Sequence, residues 1–340
     1  MRQVHVSDYL KCTAPIWLDT KVTLNPTTTL SMYRKIPDDL QKTAECKLNE
    51  VTSRIENDIT QMKEWIAKQP HLNIEIDDQF ILTLLRCCKF SLQRTKEKID
   101  TYYTARSIMP EIFSNRDPYL PEIQHLFNSR CIALPLPNLD PDDGSRIIFI
   151  NYSSSLDPNL VSLRNLDKVN YMILDILIRE DDDMIINGLK LITHCKDLSV
   201  RFLNELTPLY MKRHVYLVNA FPLRLQAVRV VNCPAPFAFA YSIFKTFTTS
   251  KIGQRMMMVS ETNVPELCRQ SPHLFPKEMG GNNGSIQELS GTWKRKVESY
   301  REWFLQEEAK KSDESLRTEP PKTALDLFGA DGTFRKLEID

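Results

Sequence analysis

The chain has 340 residues, of which 42% are hydrophobic and 26% are charged, with 44 basic and 44 acidic side chains. These proportions are those of globular proteins, so they exclude a disordered or fibrous chain, and the length allows about two domains of ~150 residues each. Because the formal net charge is zero, no overall attraction to nucleic acid or membranes is expected, and any electrostatic recognition must come from a local patch.

The N-terminal segment MRQVHVSDYLKC lacks the apolar core of a secretion signal, and no apolar run in the sequence is long enough to span a membrane. We therefore expect a cytoplasmic protein. The eight cysteines form no C-x-x-C motif, and in the cytoplasm they are expected to be reduced thiols.

Residues 1–44 mix proline, threonine and charge without a sustained period, which predicts an irregular N-terminal extension. Residues 45–116 are predicted to form a small all-helical domain. Its second helix is expected to be capped by Asp77 or Asp78, and its third to begin after Ser91. The first helix is predicted over KLNEVTSRIENDITQMKEWIAKQ, because apolar residues recur there at three- and four-residue spacing. These residues are Leu48, Val51, Ile55, Ile59, Met62 and Ile66.

Residues 117–283 show the alternation of strands and helices that is typical of an α/β fold. Two helical segments, LVSLRNLDKVNYMILDILIRE and DLSVRFLNELTPLYMKR, separate short β-rich runs. This order predicts a parallel or mixed sheet with crossover helices. The β-rich runs are RIIFINY (146–152), GLKLITHC (188–195), HVYLVNA (214–220) and AVRVVN (227–232).

Residues 284–340 are predicted to hold one amphipathic helix, IQELSGTWKRKVESYREWFLQEEAKK, followed by a polar tail with little capacity to form a core. The preceding GGNNG segment (280–284) does not lie between a strand and a helix. It therefore predicts a turn rather than a phosphate-binding loop.

The sequence contains none of the common catalytic or nucleotide-binding motifs, such as G-x-S-x-G, G-x-G-x-x-G, G-x-x-x-x-G-K-[ST] and H-E-x-x-H. A metal site at His194 and Cys195 is not expected, because neighbours in a strand point to opposite faces. The acidic run Asp181–Asp183 is interpreted as a solvated loop. We therefore predict no catalytic residue, no metal, no cofactor and no enzymatic activity.

The segment 236–255 is unusually rich in aromatic residues and then becomes cationic. On a helical wheel, the apolar arc of this segment is wider than a single contact with the core requires. Two interpretations follow: the segment is a wholly buried core helix, or it covers an apolar pocket and can contact an anionic membrane. Basic residues at its end, Lys251 and Arg255, and just upstream of it, Arg224 and Arg229, favour the cover. The residues on one stripe of this helix are Phe237, Ala240, Tyr241, Phe244 and Phe247, and Phe239 and Ile243 widen it.

The run FPLRLQAVRVVNCPAPFAFAYSIFKTFTTSKIGQR, with LTPLYMKR before it and LFPKEMGG after it, resembles the CRAL-TRIO lipid-transfer family and in particular its tocopherol- and retinaldehyde-carrier branch. The block DDQFILTLLRCCKFSLQRTKEKIDTYYTARSIMPEIF resembles the N-terminal helical domain of that family. Together these matches span about residues 45–283. The resemblance implies a helical domain beside an α/β domain whose sheet floors an apolar pocket, closed by a mobile gate helix from Pro236 to about Thr249.

The resemblance also implies roles for individual residues. Where the tocopherol-carrier branch has a second arginine in its headgroup site, this chain has Gln226, and Arg229 is the expected substitute. The residues implied to line the pocket are Leu217, Phe221, Leu223 and Val228, and ordinary core packing is the alternative for each of them. The residues implied to seal it are Phe237, Ala240, Tyr241, Phe244 and Phe247. The residues implied to bind phosphoinositide headgroups are Arg86, Arg224, Lys251 and Arg255.

These features together predict a non-enzymatic intracellular carrier that binds one hydrophobic small molecule and exchanges it at phosphoinositide-containing membranes, with which it associates peripherally and only transiently. The ligand classes implied by the family are tocopherols, retinoids, carotenoids and phospholipids. An alternative is a phosphoinositide-sensing adaptor that transfers no cargo. A third possibility, an enzyme that acts on a lipid in the pocket, is disfavoured because the sequence offers no nucleophile, metal set or cofactor loop.

Overall fold

The computed structural model describes residues 33–329 except 153–155 and 158. Residues 1–32 of the predicted extension therefore lie outside the described part. Within it, the first helix begins at Asp38, inside the range that was expected to be irregular. No helix of the described residues is long and apolar enough to cross a membrane.

The N-terminal part of the described chain is helical, as predicted. The Asp77 side chain caps the third helix by accepting a hydrogen bond from the backbone N–H of Phe80 at 2.7 Å. Ser91 occupies the N-cap position of the fourth helix. The six helices of this part are α1 (Asp38–Leu48), α2 (Ile55–Ile66), α3 (Asp78–Cys87), α4 (Leu92–Ile108), α5 (Pro110–Phe113) and α6 (Pro121–Asn128).

The single helix predicted over residues 47–69 is wrong, because the chain breaks between α1 and α2. Asn49 adopts a left-handed conformation (φ 60°) that ends α1, and a short 3-10 turn at Thr52–Arg54 leads into α2. Asparagine tolerates this conformation better than most residues. Val51, which was expected on the buried stripe, lies in the break and is 43% exposed.

The described residues contain one five-stranded sheet in the order β1-β2-β3-β4-β5. β1 pairs with β2 antiparallel, and the other three pairings are parallel. The α/β fold class with a mostly parallel, mixed sheet is thus confirmed. The strands are β1 (Ala133–Pro135), β2 (Arg146–Asn151), β3 (Leu189–His194), β4 (Leu225–Val231) and β5 (Met256–Val259).

One row of apolar residues runs across four strands of the sheet. Ile148 of β2 pairs with Leu191 of β3, Leu191 pairs with Val228 of β4, and Val228 pairs with Met256 of β5. Side chains in register on neighbouring strands share a face. The row therefore forms a continuous apolar surface.

A register shift interrupts the pairing of β3 with β4. Leu189 pairs with Leu225, whereas the next residue, Lys190, pairs with Ala227, so that Gln226 is the extra residue of a bulge. A bulge re-aims the side chains on either side of it. The Gln226 amide donates a hydrogen bond to the carbonyl of Asn187 at 2.9 Å.

In the described part of the chain, six helices lie between β2 and the C-terminal helix, and one of them replaces a predicted strand. The run HVYLVNA (214–220) is the second half of α9, because Thr207 caps that helix by accepting from the N–H of Tyr210 at 3.1 Å and Pro208 occupies its first turn. A short apolar run cannot distinguish strand from buried helix. The helices are α7 (Leu163–Glu180), α8 (Asp182–Asn187), α9 (Pro208–Ala220), α10 (Ala235–Phe247), α11 (Ser250–Arg255) and α12 (Val264–Gln270).

The C-terminal helix is confirmed, with a break near Tyr300 that divides it into α13 (Ile286–Ser299) and α14 (Arg301–Glu307). The segment after α14 was predicted to be a polar tail, but it packs against the rest of the protein. Arg317 pairs with Asp100 of α4 at 2.9 Å, and Phe328 of α15 (Ala324–Phe328) is only 6% exposed.

The acidic run Asp181–Asp183 is a structural element rather than a solvated loop. Asp181 accepts from the N–H of Met184 at 2.9 Å, so it caps α8, and it pairs with Arg146 at 2.6 Å. Asp182 pairs with Arg34 at 3.1 Å. In the described part of the chain, no group of side chains could hold a metal ion.

A buried ion cluster joins the helical part to α7. Asp175 accepts from Arg106 at 2.9 and 3.1 Å, from Arg116 at 2.6 Å and from the Tyr102 hydroxyl at 3.0 Å. Burial by itself raises the pKa of Asp175, but the two guanidinium groups outweigh burial and lower it. The carboxylate therefore stays ionised inside the protein.

Candidate functional site

A cavity of about 800 Å³ lies on the apolar face of the sheet. Its floor includes the whole row of paired residues that crosses β2 to β5. The remaining apolar floor residues lie on the same strands or next to them. The sheet residues that line the cavity are Ala133, Ile148, Ile150, Leu189, Leu191, Leu225, Gln226, Val228 and Met256.

The walls of the cavity come from one face of α7 and one face of α9. Four residues of α7 line it at helical spacing: Asp167, Asn170, Tyr171 and Leu174. The α9 residues that line it are His214, Val215, Val218 and Asn219. Half of these eight wall residues are polar, and the polar side chains of Asp167, Asn170 and His214 lie where α7 meets α9.

The cover of the cavity is formed by the C-terminal end of α10 together with α11. Phe244 lines the cavity from α10, and Ile252 lines it from α11. Between them Thr249 caps α11 by accepting from the N–H of Ile252 at 3.4 Å. The aromatic segment is thus neither fully enclosed nor without space beneath it, which excludes the wholly buried core helix.

The other residues predicted to seal the pocket lie around this contact. Phe237 and Ala240 are buried, and Phe247 is partly buried, but none of the three lines the cavity. Tyr241 packs against the cluster that contains Val228 and Met256, beside the cavity rather than in its wall. The outer face of α10 carries Phe239, which is 69% exposed.

Two of the four residues predicted to line the pocket do so, namely Leu223 and Val228. Leu217 and Phe221 do not, because they belong to the core, where each is 1% exposed. The Phe221 ring packs against Tyr171, with ring centroids 4.6 Å apart, and so supports the cavity wall from behind.

Seven basic side chains line the cavity, and the exposed ones mark its mouth. None of the seven forms an ion pair with a carboxylate of the described residues. Asp167 is the one acidic residue among the described lining residues, and it lies among the polar side chains of α7 and α9. The mouth is therefore a local cationic patch on a chain with zero net charge. The seven residues are Lys47, Lys89, Arg94, Lys98, Arg224, Lys251 and Arg255.

Three of the predicted headgroup residues belong to this patch. Arg224 donates a hydrogen bond to the carbonyl of Ile186, and Arg255 donates one to the carbonyl of Leu225. Burial lowers the pKa of Arg224, and the neighbouring charge of Arg255 lowers it further. Lys251 is exposed. The three cations thus lie together, and none of them pairs with a carboxylate of the described residues.

Two predicted headgroup residues lie elsewhere. Arg86 is 2% exposed and binds Glu50 through two hydrogen bonds of 2.9 and 3.1 Å. This buried pair, with Asp182 at 3.6 Å, anchors α3, so Arg86 does not reach the cavity. Arg229 follows Val228 on β4 and therefore points to the opposite face of the sheet, so it does not replace the missing arginine at Gln226 in the cavity wall.

The sequence analysis did not identify the cluster of polar side chains in the cavity wall. The ring of His214 lies with Nδ1 3.3 Å from Oδ1 of Asp167, whose Oδ2 accepts from the Tyr210 hydroxyl at 2.8 Å. Burial by itself lowers the pKa of His214, but the charge of Asp167 and its hydrogen bond outweigh burial and raise it. The signal in the sequence was the presence of Asp167 and Asn170 on the otherwise apolar face of α7.

Two family models match this chain. A model described as "Pinta-like, UBA domain" matches residues 51–123, and one described as "CRAL/TRIO domain" matches residues 132–281. The second range contains the whole sheet, α7 to α12 and the cover of the cavity.

Curated relatives match over most of the chain. A mouse (Mus musculus) protein named alpha-tocopherol transfer protein-like is 27% identical over 287 residues, which are 82% of this chain and 77% of the relative. Clavesin-1 of rat (Rattus norvegicus) is 28% identical over 264 residues, 76% of this chain and 72% of the relative. The crystal structure of Sfh5 aligns with 75% of this chain and 92% of its own, at 16% identity and a TM-score of 0.44. The chain described here thus contains a CRAL/TRIO domain at residues 132–281.

Proposed function

We propose that this protein is a non-enzymatic carrier that binds one hydrophobic small molecule in the cavity and exchanges it at membranes that contain phosphoinositides. The observation that carries the proposal is the combination, in one cavity, of an apolar floor and a cationic mouth whose side chains pair with no carboxylate of the described residues. The name of the mouse relative, alpha-tocopherol transfer protein-like, supports the same class of function. Tocopherols, retinoids, carotenoids and phospholipids are the candidate ligand classes.

The cavity can hold a lipid tightly. A ligand that buries about 15 methylene equivalents at ~0.8 kcal/mol each gains roughly 12 kcal/mol before the costs of association. Escape into water is therefore slow. A cover that opens at a membrane removes this barrier, because the lipid then passes from one apolar environment to another.

The outer surface near the cover suits contact with a membrane. Phe239 on α10 is 69% exposed, and Val200, in the 3-10 turn that packs against α10, is 62% exposed. Basic residues near an anionic surface contribute about 1 kcal/mol each. Arg224, Lys251 and Arg255 would supply roughly 3 kcal/mol. That energy is enough for docking and too little for permanent attachment.

The experiment that tests the proposal measures lipid transfer between vesicles with and without phosphoinositide. We expect the double variant Lys251→Ala with Arg255→Ala to transfer ligand more slowly to phosphoinositide vesicles, while its affinity for ligand in solution stays close to that of the wild type. The charge-matched control is Lys277→Ala with Arg295→Ala, because both residues are exposed and lie outside the cavity lining.

Equal transfer rates for the two double variants would contradict the role of the cationic mouth. A protein that is purified without lipid, takes up none and still binds phosphoinositide vesicles would be the cargo-free adaptor instead. Chemical conversion of a bound lipid would indicate an enzyme.

A further inference from the structure

We propose that the polar group where α7 meets α9 is a binding site for the hydroxyl group of a lipid alcohol, with His214 and Asn170 as the contacting residues. This inference rests on the proposed function, since it names the chemical class of the ligand that the cavity holds. Both residues line the cavity beside apolar neighbours such as Leu174, Val215 and Val218.

Asp167 positions the imidazole of His214. Its carboxylate is held by the Tyr210 hydroxyl at 2.8 Å and faces Nδ1 of His214 at 3.3 Å. An ionised carboxylate accepts hydrogen bonds, so Nδ1 carries the proton that points toward it. Nε2 is then left for another partner, and among the described residues it has none. The side chain is 30% exposed, and it borders the cavity.

Asn170 is positioned in a similar way. Its Oδ1 accepts a hydrogen bond from the backbone N–H of Ala133 at 2.7 Å, which fixes the orientation of the amide. The two N–H groups of Nδ2 have no hydrogen-bond partner among the described residues. Because Asp167 and Asn170 are three residues apart on α7, they lie on the same face of the helix, and His214 contacts the first of them. The free imidazole nitrogen and the free amide donors therefore belong to one end of the cavity.

The chemistry of this pair favours a hydroxyl group over other polar ends. Neutral His214 presents Nε2 as an acceptor and charged His214 presents it as a donor, and a hydroxyl can satisfy either form while it also accepts from Asn170. A carbonyl satisfies only the charged form. A carboxylate would add a second negative charge near Asp167. A hydrocarbon would displace water and leave the polar groups unpaired in an apolar cavity.

The test uses a matched 18-carbon series of the alcohol, its methyl ether, the alkane and the carboxylate, each of which displaces a fluorescent lipid alcohol from the full-length protein. We expect the wild type to bind the alcohol about tenfold to a hundredfold more tightly than the alkane, because unpaired buried groups carry such costs. The ether and the carboxylate should lie between them. Equal binding of alcohol and alkane overturns the inference and leaves the proposed carrier intact, whereas failure of every compound to bind overturns both.

Variants separate a ligand contact from a purely structural role. His214→Leu should lose the preference for the alcohol and still bind the alkane. The control is His273→Leu, since His273 also lies beside an aspartate, Asp140 at 3.7 Å, but outside the cavity lining. Retained preference in His214→Leu would overturn the inference.

If His214→Leu does not fold, the inference can be tested by NMR on the wild-type protein. The ¹⁵N resonance of His214 Nε2 should move when the alcohol fills the cavity and should move much less with the alkane. Identical shifts for the two ligands would show that the imidazole does not contact the hydroxyl group.

Discussion

The ring of Phe244 on α10 meets the ring of His214 on α9 edge-on, with centroids 5.7 Å apart and planes inclined by 66°. This contact joins the cover of the cavity to its wall, because both side chains line the same space. In the proposed exchange mechanism, opening the cover breaks this contact.

Replacing Phe244 with Ala should accelerate the release of ligand. The change removes an aromatic contact and part of the seal, and we expect dissociation of a bound fluorescent lipid into solution to become about tenfold faster. Stopped-flow measurements with an acceptor in excess would report this rate. Phe239→Ala is the matched comparison on the same helix, since Phe239 is exposed and does not line the cavity. Similar rates for the two variants would show that Phe244 does not hold the cover closed.

Replacing Arg86 with Met should unfold the protein more readily and should not act selectively on headgroup binding. Glu50 would be left buried without its partner, which lowers the free energy of unfolding by about 3–5 kcal/mol. The double variant Arg86→Met with Glu50→Met removes both charges and should recover most of that loss. Urea denaturation of the three proteins provides the measurement. A stable Arg86→Met protein with weakened phosphoinositide binding would instead favour the role implied by the family resemblance.

Replacing Asp175 with Asn should destabilise the junction between the helical part and α7. The guanidinium groups of Arg106 and Arg116 would remain buried with no carboxylate between them, at a cost of about 3–5 kcal/mol. We expect a lower thermal midpoint and faster proteolysis in both parts of the chain. Asp326→Asn is a suitable control, because Asp326 lies on the exposed side of α15. A melting temperature unchanged from the wild type would contradict the structural role of the cluster.

The pair of His214 and Asp167 should make the stability of the protein depend on pH. The pKa of His214 in the folded protein lies above its usual value, so charged His214 stabilises the fold fully below about pH 6.5. This contribution is lost as the pH rises through the raised pKa. Other charged groups near the ring, Arg164, Glu111 and Arg213, line a second small cavity beside it.

The measurement compares urea unfolding of the wild type and His214→Gln at several pH values. We expect the difference in the free energy of unfolding between the two proteins to be largest in mildly acidic solution and to shrink above neutrality. The remaining histidines are common to both proteins and cancel in the comparison. A difference that stays constant with pH would mean that His214 does not titrate in this range.

Local patterns in the sequence were sufficient for much of the fold. The N-cap at Asp77, the helix of the aromatic segment and three of the strands follow from side-chain periodicity and hydrogen-bonding capacity over a few residues. The same reasoning failed where short runs are ambiguous. Residues 214–220 form a helix because Thr207 and Pro208, which lie before the run, start one. The helix predicted over residues 47–69 breaks because Asn49 adopts a left-handed backbone.

The tertiary structure decided which residues line the cavity. Arg86 does not reach the mouth because it forms a buried ion pair with Glu50, which is distant in sequence. Lys89 has no such pair among the described residues and lines the cavity. Likewise Leu217 and Val218 are neighbours on one helix, yet the first enters the core and the second lines the cavity. The sequence by itself determined that an apolar helix is followed by a cationic cluster. Only the packing of α7, α9 and the sheet decided what lies beneath it, because burial and charge pairing depend on residues that are far apart along the chain.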